Sequence, residues 1–232
     1  MKTVVLQREA VLQRTAEEIG KVLREKPNAV ITMAPGRTMQ PLWNLLGEKV
    51  RNREFSFSEV TFFQTAEFIG VPETYTLRSM TERELLAATD LRKERCVWIT
   101  EENFKEYDRM IQDAGGLDLA VLGIGDNAHI GLNEPGTQFG TLSRIQKLTE
   151  KTKAQYSWLF EDSKTVPERA CTMGIQTLTQ AKKIMVLALG AEKAKAVFDM
   201  LYARNDSVVP AAFLQLPYDV TVYADTEAGE KL

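Results

Sequence analysis

One imidazole gathers the chemistry of this sequence. His129 is the only histidine among 232 residues, and it stands in Gly123-Ile124-Gly125-Asp126-Asn127-Ala128-His129-Ile130-Gly131-Leu132-Asn133-Glu134-Pro135-Gly136. The apolar run Leu117-Asp118-Leu119-Ala120-Val121-Leu122 precedes it and reads as a buried strand. The Gly-rich turn therefore falls at the C-terminal end of a strand, where open α/β sheets bind ligands. An imidazole with a carboxylate, Glu134, close behind it in sequence suits acid–base work. Pro135 and Gly136 hold that turn. A lone histidine bonded to backbone in a structural turn is the plainer alternative, but the Gly-flanked position and the Asn-Glu-Pro-Gly sequel favour function. One histidine with scattered carboxylates makes a poor transition-metal site, so neither a metal nor a cofactor is expected.

Three further stretches carry candidate groups. In Ala34-Pro35-Gly36-Arg37-Thr38 a strand runs through a short turn into a helix. Free backbone N–H groups and the helix dipole there favour an anion, with Gly36 in the turn, Arg37 adding charge and Thr38 a hydroxyl at the expected N-cap. A plain Thr-capped helix start is the competing account. Lys193, in Leu189-Gly190-Ala191-Glu192-Lys193, opposes the dipole in the first turn of a helix, a local conflict of the kind functional sites carry; a solvated lysine is the alternative. In Gln64-Thr65-Ala66-Glu67-Phe68 the carboxylate at a strand end is either catalytic or an exposed loop acid. Trp43 and Trp98 read as core, whereas Trp158, in a polar segment, either covers a site or packs.

The elements that must position these groups alternate strand and helix. Strands are expected at 4–6, 29–33, 60–63, 96–100, 117–122, 143–148, 183–189 and 219–224, and helices at 9–25, 39–50, 76–88, 101–114, 151–160 and 191–204. Residues 64–72 read as a loop, 170–178 mix both signals, and 226–232 read as a loose polar tail. The strands are continuous apolar runs, as a parallel sheet covered on both faces requires. No repeat, low-complexity segment or flexible linker divides the chain. The expectation is one doubly wound, Rossmann-like α/β domain over 1–232 with a mostly parallel sheet. A net charge of −3 argues against nucleic acid or an anionic membrane as partner. Cys96 and Cys171 lack metal or redox spacing and read as buried, reduced thiols. The short apolar N-terminus is no signal peptide, and a cytoplasmic location is expected.

The run Gly-Ile-Gly-x-x-x-His-Ile-Gly-Leu-Asn-Glu-Pro-Gly over 123–136 resembles the glucosamine-6-phosphate deaminase family, which shares its fold with the 6-phosphogluconolactonases. Gly36-Arg37-Thr38 falls on that family's sugar-phosphate loop. Ser143-Arg144-Ile145, Val166-Pro167 and Thr172-Met173-Gly174-Ile175 match later blocks. Leu189-Gly190-x-x-Lys193 matches the lysine that contacts the substrate phosphate. Asn133-Glu134-Pro135 favours the deaminases over the lactonases. The resemblance implies a phosphorylated amino sugar as ligand and its conversion to a ketose phosphate and ammonia. His129 would assist ring opening, Glu134 would orient or tune it, and Asn127 would be a third catalytic position. Substrate contacts would come from Gly36, Arg37, Thr38, Lys193, Ala66, Glu67 and Gly125.

Four positions depart from the family pattern. Its proton-abstracting aspartate falls on Ala66, and a methyl takes no proton. The aspartate two residues before the histidine falls on Asn127, as in sequences resembling galactosamine-6-phosphate isomerases, which the Gly-Gly-Leu-Asp-Leu run at 115–119 also resembles. An arginine falls on Trp158, and Ala128 replaces a glycine. Three outcomes follow: an amino-sugar-phosphate isomerase/deaminase with an altered base, a catalytically impaired sugar-phosphate-binding sensor or partner, or an altered phosphosugar isomerase. A homo-oligomer is left open.

Overall fold

The computed structural model describes residues 1–161 and 166–232. In chain order its strands are β1 (Lys2–Leu6), β2 (Val30–Met33), β3 (Thr61–Phe63), β4 (Ala66–Phe68), β5 (Cys96–Val97), β6 (Leu119–Gly123), β7 (Arg144–Lys147), β8 (Arg169–Thr172), β9 (Lys183–Ala188) and β10 (Val220–Asp225). The helices are α1 (Arg8–Glu25), α2 (Gln40–Arg51), α3 (Leu77–Thr81), α4 (Tyr107–Asp113), α5 (Glu150–Tyr156), α6 (Ile175–Thr179) and α7 (Ala194–Tyr202). Seven strands form one parallel sheet in the order β1-β10-β9-β6-β2-β3-β5.

The central strands β2, β6, β9 and β10 are buried on both faces, which is why they read as unbroken apolar runs, while the edge strand β1 is largely exposed. Alternate residues of one strand serve opposite cores, as the strand period of two demands. Ala120, Leu122, Ile184, Val186 and Val222 pack on one side, with Ile111 of α4, Leu178 of α6 and Val197 and Met200 of α7. Leu119, Val121, Met185, Leu187 and Tyr223 pack on the other, with Val11, Ala16 and Ile19 of α1 and Leu42, Trp43 and Leu46 of α2. The fold is thus a doubly wound α/β sheet.

From β2 the chain builds outward to β3 and β5; β6 then joins the opposite side of β2, and β9, β10 and β1 extend that half. The loops after β2 and β6 leave in opposite directions and open a crevice between their C-terminal ends.

Several boundaries differ from the sequence expectation. The expected loop 64–72 contains β4, which pairs antiparallel with β8, and β8 with β7, making a small second sheet beside the crevice. Three residues are too few for alternation to show. The strand expected at 96–100 is the two residues of β5, and the helix expected at 101–114 begins at Tyr107. The segment 76–88 is α3 followed by a π-helical stretch, Glu82–Leu86. The tail is tied down: Ala228 is buried, and its N–H donates to Asp225 Oδ1 at 2.8 Å. Both cysteines are free, Cys171 buried and Cys96 only half-buried.

Candidate active site

At the switch point lies a cavity of about 430 Å³. Its walls come from Ala34–Met39 after β2, from Gly123–Asp126, His129 and Gly131 after β6, from Glu192 and Lys193 after β9, and from Ala154, Gln155, Tyr156 and Trp158 at the end of α5. Three of the four expected strand ends therefore meet. The fourth, residues 64–68, contributes no lining residue.

His129 is buried, and a short chain of contacts fixes its ring. The turn closes through Ala128 N–H to Gly125 O at 2.8 Å and Gly125 N–H to His129 O at 3.0 Å. The ring lies so close over Gly125 that a Cβ there would meet Cε1 and Nδ1 at 2.3 Å, so the glycine is required by proximity. Asn127 Nδ2 donates to Glu134 Oε2 at 2.9 Å, which directs its Oδ1 to His129 Nδ1 at 2.7 Å. The same Oδ1 accepts from the His129 backbone N–H at 3.2 Å, so Asn127 offers oxygen to the ring, and Nδ1 carries the proton. Nε2 is then the lone-pair nitrogen; it has no hydrogen-bond partner among the described residues and is not sealed from solvent. Burial pushes the His129 pKa down from 6.5 to about 4 against the opposing pull of Glu134, so the ring is neutral near pH 7. Thr152 Oγ1 lies 3.2 Å from Nδ1.

The turn behind the imidazole is braced throughout. Glu134 is buried and also accepts from Thr149 N–H at 3.0 Å and Thr149 Oγ1 at 3.2 Å. Asn133 Nδ2 donates to Ile130 O and Met173 O, each at 2.8 Å, while its Oδ1 accepts from Arg144 at 2.7 Å. Leu132 N–H donates to Thr172 Oγ1 at 3.1 Å. Positions 144, 172 and 173 thus act by holding the Asn-Glu-Pro turn in place. Ala128 adopts φ +61°, a left-handed conformation that strains an L-residue by about 1–2 kcal/mol.

On the opposite wall, Gly36 takes φ +134° and Met39 N–H donates to Gly36 O at 2.9 Å. Helix α2 begins one residue later than expected, with Met39 at its N-cap, so Thr38 does not cap it. The Thr38 side chain faces the cavity half-buried, next to the N-terminal end of a helix of 12 residues. The Arg37 guanidinium stacks on Trp158, 4.7 Å from the ring centroid, and joins two walls of the cavity.

Lys193 closes a 3-10 turn, Ala191–Lys193, ahead of α7; it is buried and ion-paired with Asp126. Its loop is anchored from below. Gly190 N–H donates to both Asp225 carboxylate oxygens at 3.0 Å, and Gly190 has φ +92°.

Neither Ala66 nor Glu67 is among the lining residues. Ala66 is buried in an apolar cluster with Phe68, Leu77 and Leu132, against which Tyr156 packs. Glu67 accepts from Phe68 N–H at 2.7 Å, Leu77 N–H at 2.8 Å, Arg78 N–H at 2.9 Å and Gln64 Nε2 at 2.9 Å. Its carboxylate holds the start of α3 and does not line the cavity, a correction to its expected contact with substrate. Adjacent side chains in a strand point to opposite faces, so Glu67 does not replace what Ala66 lacks.

Sequence reasoning missed Asp126, Thr149, Thr152 and Tyr156. A capping signal was present for two of them: Thr149 Oγ1 accepts from Thr152 N–H at 3.2 Å at the start of α5. Among the described residues no cluster of three or more His, Cys, Asp or Glu could hold a metal, and no helix is long and apolar enough to cross a membrane.

Residues 6–223 match the family model described as glucosamine-6-phosphate isomerases/6-phosphogluconolactonase. The chain is 38% identical to a glucosamine-6-phosphate deaminase of Halalkalibacterium halodurans, covering 92% of this chain and 90% of that one. It is 35% identical to one of Thermoanaerobacter, covering 99% and 94%. A solved monomeric glucosamine-6-phosphate deaminase of the NagB superfamily superposes with TM-score 0.95 at 30% identity over both full lengths. A 6-phosphogluconolactonase of Thermotoga maritima superposes with TM-score 0.75 at 19% identity, covering 97% of this chain and 98% of that one, a likeness of fold.

Proposed function

As this chain belongs to the glucosamine-6-phosphate isomerase/6-phosphogluconolactonase family, we propose that its cavity takes a 6-phosphorylated amino sugar and converts it to a ketohexose 6-phosphate and ammonia. Glucosamine 6-phosphate and galactosamine 6-phosphate are the two candidate substrates, and Asn127 favours the second. The observation that carries this reading is one cavity holding Lys193 and the turn 36–39 together with a neutral, tautomer-fixed His129. The phosphate would lie against Lys193, Arg37, Thr38 and the α2 terminus, where ammonium, guanidinium and helix dipole attract an anion. It would take Lys193 from Asp126. Glu134, through Asn127, holds the ring of His129, and Nε2 handles the protons of ring opening. The whole chain acts as one domain, in the cytoplasm.

Ala66 supports a second reading. With no carboxylate from residues 64–68 in the cavity, removal of the C2 proton lacks the base that the family resemblance assigns there, a loss of typically ~10²–10⁴-fold. A protein slow at that step is a sugar-phosphate binder with weak turnover. Ammonia release from both amino-sugar phosphates, measured on the wild type and on Ala66→Asp, separates the two. An active wild type supports the enzyme. A slow wild type rescued at least tenfold by Ala66→Asp supports the impaired site. A folded Ala66→Asp protein no faster than a slow wild type contradicts the place given to residue 66.

A further inference from the structure

Among the described groups that line the cavity, His129 is the proton carrier whose ring is fixed by a hydrogen bond with one nitrogen left open. Lys193 and Asp126 hold each other, and the Glu192 carboxylate folds back over Gly190, 2.5 Å from where a Cβ on that glycine would stand. Residues 64–68 supply no lining group. His129 differs: Nδ1 is engaged by Asn127, and Nε2 has no partner among the described residues. Moving a proton off carbon needs a strong, well-placed base. Opening a hemiacetal does not, because the anomeric hydroxyl and the ring oxygen sit on one carbon, within reach of a single nitrogen.

We propose that this chain interconverts the anomers of 6-phosphorylated aldohexoses, with or without an amine at C2, as an activity separate from deamination. The proposal rests on the reading that the cavity binds a hexose 6-phosphate. Nε2 takes the proton of the C1 hydroxyl, the C1–O5 bond breaks as C1–O1 becomes a carbonyl, and the same proton passes to O5. The open-chain aldehyde forms and Nε2 is regenerated. After rotation about C1–C2, the O5 hydroxyl adds to the other face of the carbonyl and the proton returns to O1. No atom or electron is gained or lost, and no co-reactant is needed. The neutral amide of Asn127 keeps Nδ1–H in place without a carboxylate that would trap the imidazolium. Burial acts in the same sense, since a ring with a low pKa gives its proton up readily.

Glucose 6-phosphate tests this directly because it has no amine to lose. Exchange between its anomeric proton signals is measured by NMR in D2O with the intact protein, with His129→Gln, and with Lys193→Gln, which keeps the imidazole. Circular dichroism checks each fold, and a melting shift with the same sugar checks binding. Wild type is expected to speed exchange at least tenfold over protein-free solution, without deuterium entering C2. His129→Gln should give no acceleration, while Lys193→Gln should need more sugar to reach the same rate. A wild-type melting shift with exchange at the spontaneous rate overturns the proposal and leaves the binding reading intact. Neither shift nor acceleration overturns both. Deuterium at C2 overturns the claim that anomer exchange proceeds apart from proton removal at carbon. Should His129→Gln fail to fold, wild-type exchange that does not saturate with glucose 6-phosphate overturns the proposal.

Discussion

Asn127 decides which nitrogen of His129 meets a ligand, and burial decides its charge. Together they give the residue scale its sharpest consequence. Below pH 6.5 the unfolded chain takes a proton on this imidazole, which the folded protein refuses until about pH 4. The depressed pKa therefore makes stability fall as the pH falls: the contribution is intact above 6.5 and erodes toward 4. Its full extent is about 3 kcal/mol. Melting curves of wild type and His129→Gln between pH 7 and 4 should diverge in slope, the wild type losing more as the solution is acidified. The comparison isolates the imidazole from Glu67, whose burial raises its pKa and acts in the opposite direction. Parallel curves would contradict the buried, neutral ring. His129 and Glu134 were legible in sequence because a lone histidine in a Gly-rich turn is rare. Asp126 was not, because its role depends on where Lys193 arrives from another strand.

Elements place these residues by close approach and by capping. Gly125 lets the ring lie against the backbone, so Gly125→Ala should displace the imidazole while the sheet survives. Turnover should fall about 10²-fold, since a shift near 1 Å costs that much. Unchanged ammonia release or anomer exchange would refute the close approach. Glu67 caps the N–H groups of Leu77 and Arg78. Glu67→Ala should lower stability by about 1–3 kcal/mol in urea melts and leave phosphosugar affinity within about twofold. A large loss of affinity without a loss of stability would return Glu67 to the cavity wall. Strands β2, β6 and β9 were plain as apolar runs because both faces are buried. Strand β4 was hidden because it is three residues long and its pairing with β8 is made across distant sequence. The start of α4 was misplaced because the charge-rich 101–106 segment carries no burial period.

At the scale of the molecule, the order of strands makes the cavity. Because β6 joins β2 on the side away from β3, the loops after both strands part at one crevice, and β9 brings Lys193 to its rim. The crevice was legible as a class of place, since an alternating strand–helix pattern ends its loops there. Its α5 wall was legible only in part: Trp158 reads as either covering a site or packing, Tyr156 carries no signal in sequence, and only tertiary packing brings both to the cavity. The charges that line the cavity balance, Arg37 and Lys193 against Asp126 and Glu192. An incoming phosphate must therefore win Lys193 from Asp126. Asp126→Asn should tighten binding of a hexose 6-phosphate about tenfold in a titration, and an unchanged or weakened affinity would deny that competition.

Calorimetric titration of the intact protein with glucosamine 6-phosphate, set against unphosphorylated glucosamine, bears on the central claim with least intervening inference. Binding of the phosphorylated sugar at least 10²-fold tighter, with most of that preference lost in Lys193→Gln, is the predicted result. Equal affinity for the two sugars, or a preference that survives the loss of Lys193, would contradict a phosphate seat at the β9 rim beside His129.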